Sequence, residues 1–496
     1  MVFSSISFLF FFLPAVLIIY YLMPAKARNL VLLAASLLFY AWGEPAYVVI
    51  MIVSCLSGYI HGLLIEKKGA GRYAKMLLGS SIIISLGMLL FFKYSDFLLI
   101  NLNTIARSQL ELLYIALPIG ISFYTFQIVS YTIDVYRGEI SAQKSLIKFA
   151  AYITFFPQLI AGPIVRYSDI SGQLSSRPGY YIHTGTDNSD YSLNVKSAGS
   201  LMKAISDGIF RFSLGLAKKV LLANSFGELV SLLETNNSAS VLSIWLLSAA
   251  FTLQIYFDFS GYSDMAIGLG RMFGFQFPEN FRYPLTAISI SDFWRRWHIS
   301  LGSWFRDYVY FPLGGSRCNK IVLLRNLFIV WLLTGLWHGA SWNFIIWGLY
   351  FAILLSIEKL GSFDRLKLPN ILKRITTITL ILISFIIFYS GSWGQAASLI
   401  RDMLPGSRIA AYDYLSLYYL RSYLLTFVIG IVAATPIPAK AIRILLEHGT
   451  VNNNNSRLVA SKMIELSAPL FMLVLLVLST AGIVDSSFNP FIYFRF

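Results

Sequence analysis

Two cysteines in 496 residues, Cys55 and Cys318, exclude a disulfide framework, and with no CxxC or His/Cys spacing they give no zinc signature. Charge is scarce too. Asp, Glu, Lys and Arg make up 13% of the chain, where a soluble domain carries about a quarter, and that scarcity excludes a water-soluble globule. Histidine is scarcer still, with five residues. No G-x-S-x-G elbow, Walker loop or zincin pattern occurs, so the common serine-hydrolase, nucleotide-hydrolysing and metalloprotease readings fall away. No period of roughly 20–50 residues recurs, which sets aside repeat folds.

What the chain has is apolar surface: 57% hydrophobic residues, 16% aromatics and a mean hydropathy of +0.67. This is a polytopic membrane protein. Its formal charge of +15 sits in short loops between apolar runs rather than along one polar face, so it reads as a topology signal and not as a nucleic-acid surface. Phe3 to Met23 has no basic n-region and is read as a retained span. Leu30 to Trp42 and Tyr47 to Leu64 follow as a pair around Gly43-Glu44-Pro45. The basic loop from Glu66 to Lys75 is then cytoplasmic by the positive-inside rule. Three crossings before it put the N-terminus outside, which also places Lys26 and Arg28 inside. Met76 to Phe92 exits and Leu110 to Ile133 returns, delivering Arg137, Lys144 and Lys148 to the cytoplasm.

Phe149 to Val165 carries Pro157, Gly162 and Pro163 and is expected to be broken or re-entrant. Arg166 to Ser200 is the longest polar stretch, an exposed loop in which His183 is given no role. Apolar segments resume at Leu201 to Leu222, Val241 to Phe259, Ile321 to Trp331, Ile345 to Ile357, Ile371 to Phe388, Tyr414 to Ala434 and Leu466 to Ile483. Basic loops around Lys359, Arg365, Lys367, Lys373 and Arg374, and around Lys440, Arg443, Arg457 and Lys462, place the C-terminus outside with the N-terminus. The expected fold is an all-α polytopic bundle of about 10–12 transmembrane or re-entrant helices. It is read as one integral membrane domain over residues 1–496, with a catalytic segment at 254–350.

Within that segment polar groups and aromatics interleave. Asp258 and Asp264 lie in an apolar surround and need partners. Ser289 with Asp292 has the pattern of a helix start, after which Phe293, Trp297, Leu301, Trp304 and Tyr308 recur at helical spacing. An amphipathic helix at the headgroup boundary is expected, with Arg295, Arg296, Arg306 and Asp307 off the apolar stripe and His298 at its edge. Trp294, Trp304 and Arg306 are read as interfacial anchors. The stretch from Arg325 to Tyr350, RNLFIVWLLTGLWHGASWNFIIWGLY, places His338 amid mostly apolar and aromatic neighbours. An imidazole at membrane depth is a candidate functional group, and position alone leaves that reading level with a satisfied core histidine. Two histidines without a nucleophilic Ser or Cys beside them suit direct transfer, in which a histidine takes the proton of an acceptor hydroxyl as its oxygen attacks an activated acyl group. Gly339 is positioned to end the helix after His338, and Trp337 and Trp342 are read equally as flanking a narrow passage or as packing residues.

The strings FWRRWHISLGSWFRDYVYFPLGG, GLWHGASWNFIIWG and SSFNPFIYFRF, together with the N-terminal MVFSSISFLFFFLP, resemble the membrane-bound O-acyltransferase (MBOAT) family, in its alginate-type bacterial group. The resemblance implies an MBOAT-type bundle pinched into a thin, funnel-shaped centre. It implies His338 as the essential catalytic residue and His298 as the second functional histidine. Trp337, Trp297, Arg295, Arg296, Asp258 and Asp264 are the further candidates for the substrate path. Acetyl-CoA is the implied donor, entering from the cytoplasm, and no metal is expected. The implied partners are a periplasmic or extracellular SGNH-type acetyltransferase, membrane lipid and an exported, alginate-like polysaccharide as final acceptor. The implied location is the cell inner membrane. O-acylation of peptidoglycan, D-alanylation of teichoic acid and, from another class, transport are the alternatives; no inverted repeat favours the last.

Overall fold

At membrane depth no water is present to satisfy backbone amides, so apolar segments close their hydrogen bonds within helices. The computed structural model describes residues 1–69, 71–160, 162–175, 198–235, 240–361, 368–448, 454–485 and 491, and among these residues there is no strand. Among the described residues seven helices are long and apolar enough to cross a membrane: 48–68, 72–106, 241–272, 320–338, 342–359, 370–389 and 467–485. Tyr414–Ser422 and Leu424–Ala433, bent by 54° at their junction, would make an eighth span. Two shorter apolar helices, Ser7–Leu22 and Arg28–Gly43, open the chain. The protein is therefore a multi-pass, all-α membrane protein.

The chain divides into two compact units, Met1–Phe212 with Tyr262–Glu279, and Ser213–Gly261 with Asn280–Phe496. In the first, α1 (Leu13–Leu22), α2 (Arg28–Gly43), α3 (Val48–Lys68) and α4 (Arg72–Ala106) follow one another with short breaks. The return span expected from Leu110 is instead α5 (Ile121–Arg137), buried at all but three of its 17 residues. Two causes shift it. Side chains near the end of α4 hold the backbone beyond it in non-helical form: Asp96 accepts from Leu113 and Tyr114 N–H at 2.7 and 3.0 Å, and Asn103 from Leu110 N–H at 2.9 Å. Gly120 then takes a left-handed φ of +77° as the cap of α5, and a Cβ there would meet the Leu159 carbonyl oxygen at 2.5 Å.

The segment from Phe149 is broken, as its Pro and Gly content leads one to expect, into the end of α6 (Leu146–Thr154) and the single turn α7 (Phe156–Leu159). Its freed backbone is buried in protein and hydrogen-bonded there: Ser36 Oγ accepts from Phe156 N–H at 3.1 Å, and Tyr152 Oη donates to the Val165 carbonyl at 3.0 Å. The polar stretch from Arg166 opens with a short helix, α8 (Tyr167–Ser175), because Asp169 accepts from Arg166 N–H at 3.0 Å at its start. His183, Arg365 and Lys367 lie outside the described residues.

α9 (Ala198–Ala217), α10 (Asn224–Thr235) and α11 (Val241–Met272) follow, with a π-helical stretch at Lys218–Ala223. α11 and the hairpin of α14 and α15, described below, contribute residues such as Phe251, Phe257, Trp331 and Trp347 to the core of the second unit. The single amphipathic helix expected from Ser289 is two short ones, α12 (Ile290–Arg296) and α13 (Ile299–Phe305), followed by a π-helical turn at Arg306–Tyr310. The aromatic stripe is nevertheless one buried surface, with Phe293, Trp297, Leu301, Trp304 and Tyr308 all in the core. Ser289 caps α12 as its sequence suggests, accepting from Asp292 N–H at 3.0 Å, while Asp292 reaches back to Ile288 N–H at 3.2 Å. Trp304 is no headgroup anchor: it is buried, and Trp294 packs its ring 4.5 Å from that of Trp331.

The hairpin of α14 (Lys320–His338) and α15 (Trp342–Lys359) is tight because glycines face each other across it. The Cα of Gly348 lies 3.4 Å from where a Cβ on Gly335 would be, and a Cβ at either position would overlap a carbonyl oxygen of the opposite helix. α16 (Asn370–Tyr389) packs on α15 and places Phe385 and Phe388 in the same core.

Candidate active site

The break between α12 and α13 is where His298 sits. Its φ of +46° and ψ of 54° put a non-glycine residue in the left-handed region, at a cost of about 1–2 kcal/mol. The loop at Asn280 holds it there. The Asn280 carbonyl accepts from Ile299 N–H at 3.0 Å, and two residues on, Arg282 N–H donates to the Arg296 carbonyl at 2.9 Å. The Asn280 side chain completes the clamp: its Oδ1 accepts from Ser300 N–H at 3.2 Å and Ser300 Oγ at 2.9 Å, and lies 3.2 Å from His298 Nδ1. His298 is 1% exposed, and burial lowers its imidazole pKa to about 3, so it is neutral at working pH.

His338 is the last residue of α14, and the backbone leaves the helix at Gly339 in an extended conformation that any residue adopts. Glycine is needed at 339 for space rather than conformation, because a Cβ would overlap the Phe344 ring. His338 is 4% exposed and stands edge-on to aromatic rings: Trp347 at 4.9 Å and 84°, Phe388 at 5.4 Å and 82°. Trp337 joins the two histidines. Its ring centroid lies 5.0 Å from that of His338 and 5.8 Å from that of His298. Phe259 of α11 stands edge-on to His298 at 4.6 Å, and Phe491 packs on Phe259 at 5.8 Å. Two imidazoles in a water-poor aromatic setting suit a proton transfer that must proceed without hydrolysis of a reactive acyl group.

The other sequence candidates separate. Trp297 is buried beside Phe281 and Phe293, at 5.2 and 5.5 Å, and supports His298 through the chain rather than through its ring. Arg295 is exposed and donates to the Ser291 carbonyl, and Arg296 pairs with Asp292 at 2.8 Å; neither is shown against the histidines. Asp258 is ion-paired with Lys219 at 2.5 Å. Asp264 belongs to the other unit, where Arg211 pairs with it and with Glu279, each at 2.6 Å. Those cations answer the need for partners that the two aspartates posed. Trp342, expected to flank a passage, is 56% exposed, because it opens α15 at the outer side of the turn; Trp347, one helical turn and a half further on, takes the position against His338. Asn280, Phe259 and Phe388 were not legible as site residues, since each acts through a contact distant in sequence.

Residues 136–393, which include both histidines and Asn280, match the model of MBOAT, the membrane-bound O-acyltransferase family. The chain belongs to this family. It is 37% identical to the probable alginate O-acetylase AlgI of Azotobacter vinelandii over 100% of both chains. It is 40% identical to the protein of that name from Pseudomonas aeruginosa, over 85% of this chain and 82% of the relative. The peptidoglycan O-acetyltransferase of Helicobacter pylori is 34% identical over 82% of this chain and 80% of its own. As an MBOAT member the protein is an O-acyltransferase, and Phe259, Trp337, Trp347 and Phe388, the rings set against His298 and His338, lie inside the matched region.

Proposed function

We propose that this MBOAT protein moves an acetyl group from a cytoplasmic thioester, acetyl-CoA, to the outer side of the membrane for O-acetylation of an exported, alginate-like polysaccharide, with His338 as general base. The convergence of His338 and His298 on Trp337 is the observation that carries this reading, and relatives named O-acetylases, matched over 85–100% of this chain, support the acyl group. The acceptor hydroxyl gives its proton to the imidazole of His338 as its oxygen bonds to the acyl carbon; the C–S bond breaks, and the imidazolium returns the proton to the departing thiolate. Water is the competing acceptor, and the ring of Trp337, Trp347 and Phe388 around His338 restricts its approach. In this reading the protein lies in the inner membrane with both termini outside, and an SGNH-type acetyltransferase on that side carries the acetyl group on to the glycan.

The test is mass analysis of exported and wall glycans from cells carrying the wild-type chain or His338→Ala. Acetyl increments on an exported polysaccharide that vanish in the variant, while the protein still accumulates in the membrane, are the expected result. Acetylation persisting in the variant overturns His338 as base. An increment other than acetyl overturns the donor, and acetylation confined to peptidoglycan moves the acceptor to that of the Helicobacter pylori relative.

A further inference from the structure

Asn280 does more than hold a turn. Its amide orientation is fixed by Ser300 N–H, a group that only donates: the atom 3.2 Å from it must be the oxygen, not the NH2. His298 Nδ1 faces that same oxygen at 3.2 Å. A ring nitrogen set against an acceptor carries the proton, so His298 is the Nδ1–H tautomer and its Nε2 carries the lone pair. Nε2 is buried and has no hydrogen-bond partner among the described residues. A buried acceptor of this kind is costly to leave unmade, and such atoms are usually satisfied or reserved for a ligand.

The consequence bears on what a second histidine can do beside a thioester. One option is to donate N–H to the carbonyl oxygen as negative charge gathers there; the other is to accept a hydrogen bond. Only the second is open to Nε2 in this tautomer. We propose that Asn280 is a positioning residue that holds His298 as the Nδ1–H tautomer, so that Nε2 receives an O–H or N–H group of the reacting complex and does not donate to the acyl oxygen. This rests on the acyl-transfer reading of the same site. Phe259, edge-on at 4.6 Å, and Trp337, at 5.8 Å, hold the ring plane while Asn280 sets its protonation. The left-handed backbone at His298 is the local strain that this arrangement maintains, and Asn280 is the residue whose backbone and side chain both oppose its relaxation.

Two sources supply the donor group: an amide N–H of the thioester's arm, or a hydroxyl of the acceptor next to the one that reacts. Histidine-labelled protein purified in detergent, read by 15N NMR of the imidazoles without substrate and with the resonance assigned by loss in His298→Gln, tests the tautomer directly. Wild type and Asn280→Asp, which keeps an acceptor oxygen in place, are expected to show His298 as Nδ1–H; Asn280→Leu is expected to lose that preference. An Nε2–H signal in wild type, or an unchanged tautomer in Asn280→Leu, overturns the proposal. Kinetics give the second arm. Asn280→Leu is expected to raise KM roughly tenfold for the substrate that donates, acetyl-CoA in one case and the acceptor in the other, with the second KM unmoved. If Asn280→Leu does not fold, Asn280→Asp decides alone: its carboxylate favours the imidazolium, so activity must fall at a higher pH than in wild type as pH is lowered. A wild-type pH profile in a folded, active Asn280→Asp overturns the proposal. The tautomer is read without any reaction, so it stands or fails apart from the assignment of donor and glycan.

Discussion

Lys219 Nζ lies 2.5 Å from Asp258 Oδ1, and the two side chains are only 7% and 2% exposed. An ion pair this deep is held by mutual need, since either charge left alone in an apolar surround costs several kcal/mol. Lys219→Met is therefore expected to destabilise the protein by about 3–5 kcal/mol, seen as a lower Tm in detergent and less protein in the membrane. The double variant Lys219→Met with Asp258→Leu should recover most of that loss, because two apolar side chains fill the space without a charge. A double variant no better than the single one would give Asp258 a role beyond pairing.

Trp337 touches both histidines, so its truncation should act on both at once. Trp337→Ala is expected to cut acetyl transfer by about 10²-fold or more, a cost on the scale of lost orientation rather than of a lost fold, and Trp337→Phe to retain a larger share because a ring still separates the imidazoles. Membrane accumulation of the protein is the control. If transfer in Trp337→Ala equals that of wild type, the shared contact is packing without functional consequence.

The sequence made some of this legible for physical reasons. Length and apolarity of a helix are written in consecutive residues, so Val48–Lys68 and Asn370–Tyr389 could be read within a few positions. The histidine motifs are equally local. What is not local was missed. α12 and α13 share one aromatic stripe, so periodicity joined them, while the break at His298 depends on Asn280, 18 residues away. Asp258 and Asp264 share α11 and looked alike in sequence, yet one pairs with Lys219 and the other with Arg211, cations of the preceding helical stretch that lie far from them in sequence. Trp342 and Trp347 likewise differ only in which face of α15 each occupies.

Gly339 follows the proposed base and has no room for a side chain, since Phe344 fills the space. Gly339→Ala is expected to cost about 1–3 kcal/mol through overpacking and to lower transfer by displacing His338. Gly339→Ala with Phe344→Leu should restore both, because the added methyl then meets a smaller and more flexible side chain. Tm and transfer rate, measured on all three proteins, check it; a Gly339→Ala protein with unaltered Tm would show that Phe344 yields freely.

The buried His298 also makes stability depend on pH in a defined direction. Its folded pKa of about 3 lies below the ordinary value of about 6.5 that it regains on unfolding, so between those values the unfolded chain binds a proton the native one refuses. Stability from this group is intact above about pH 6.5 and is lost progressively as pH falls toward 3. The Tm in detergent should therefore decline between pH 7 and pH 4. His298→Gln removes the titrating group and keeps an amide able to donate to Asn280 Oδ1, so its Tm should fall less steeply over the same range. Equal slopes for the two proteins would show that His298 adds no pH dependence to stability and that its burial among Phe259, Trp337 and Asn280 does not keep the imidazole neutral.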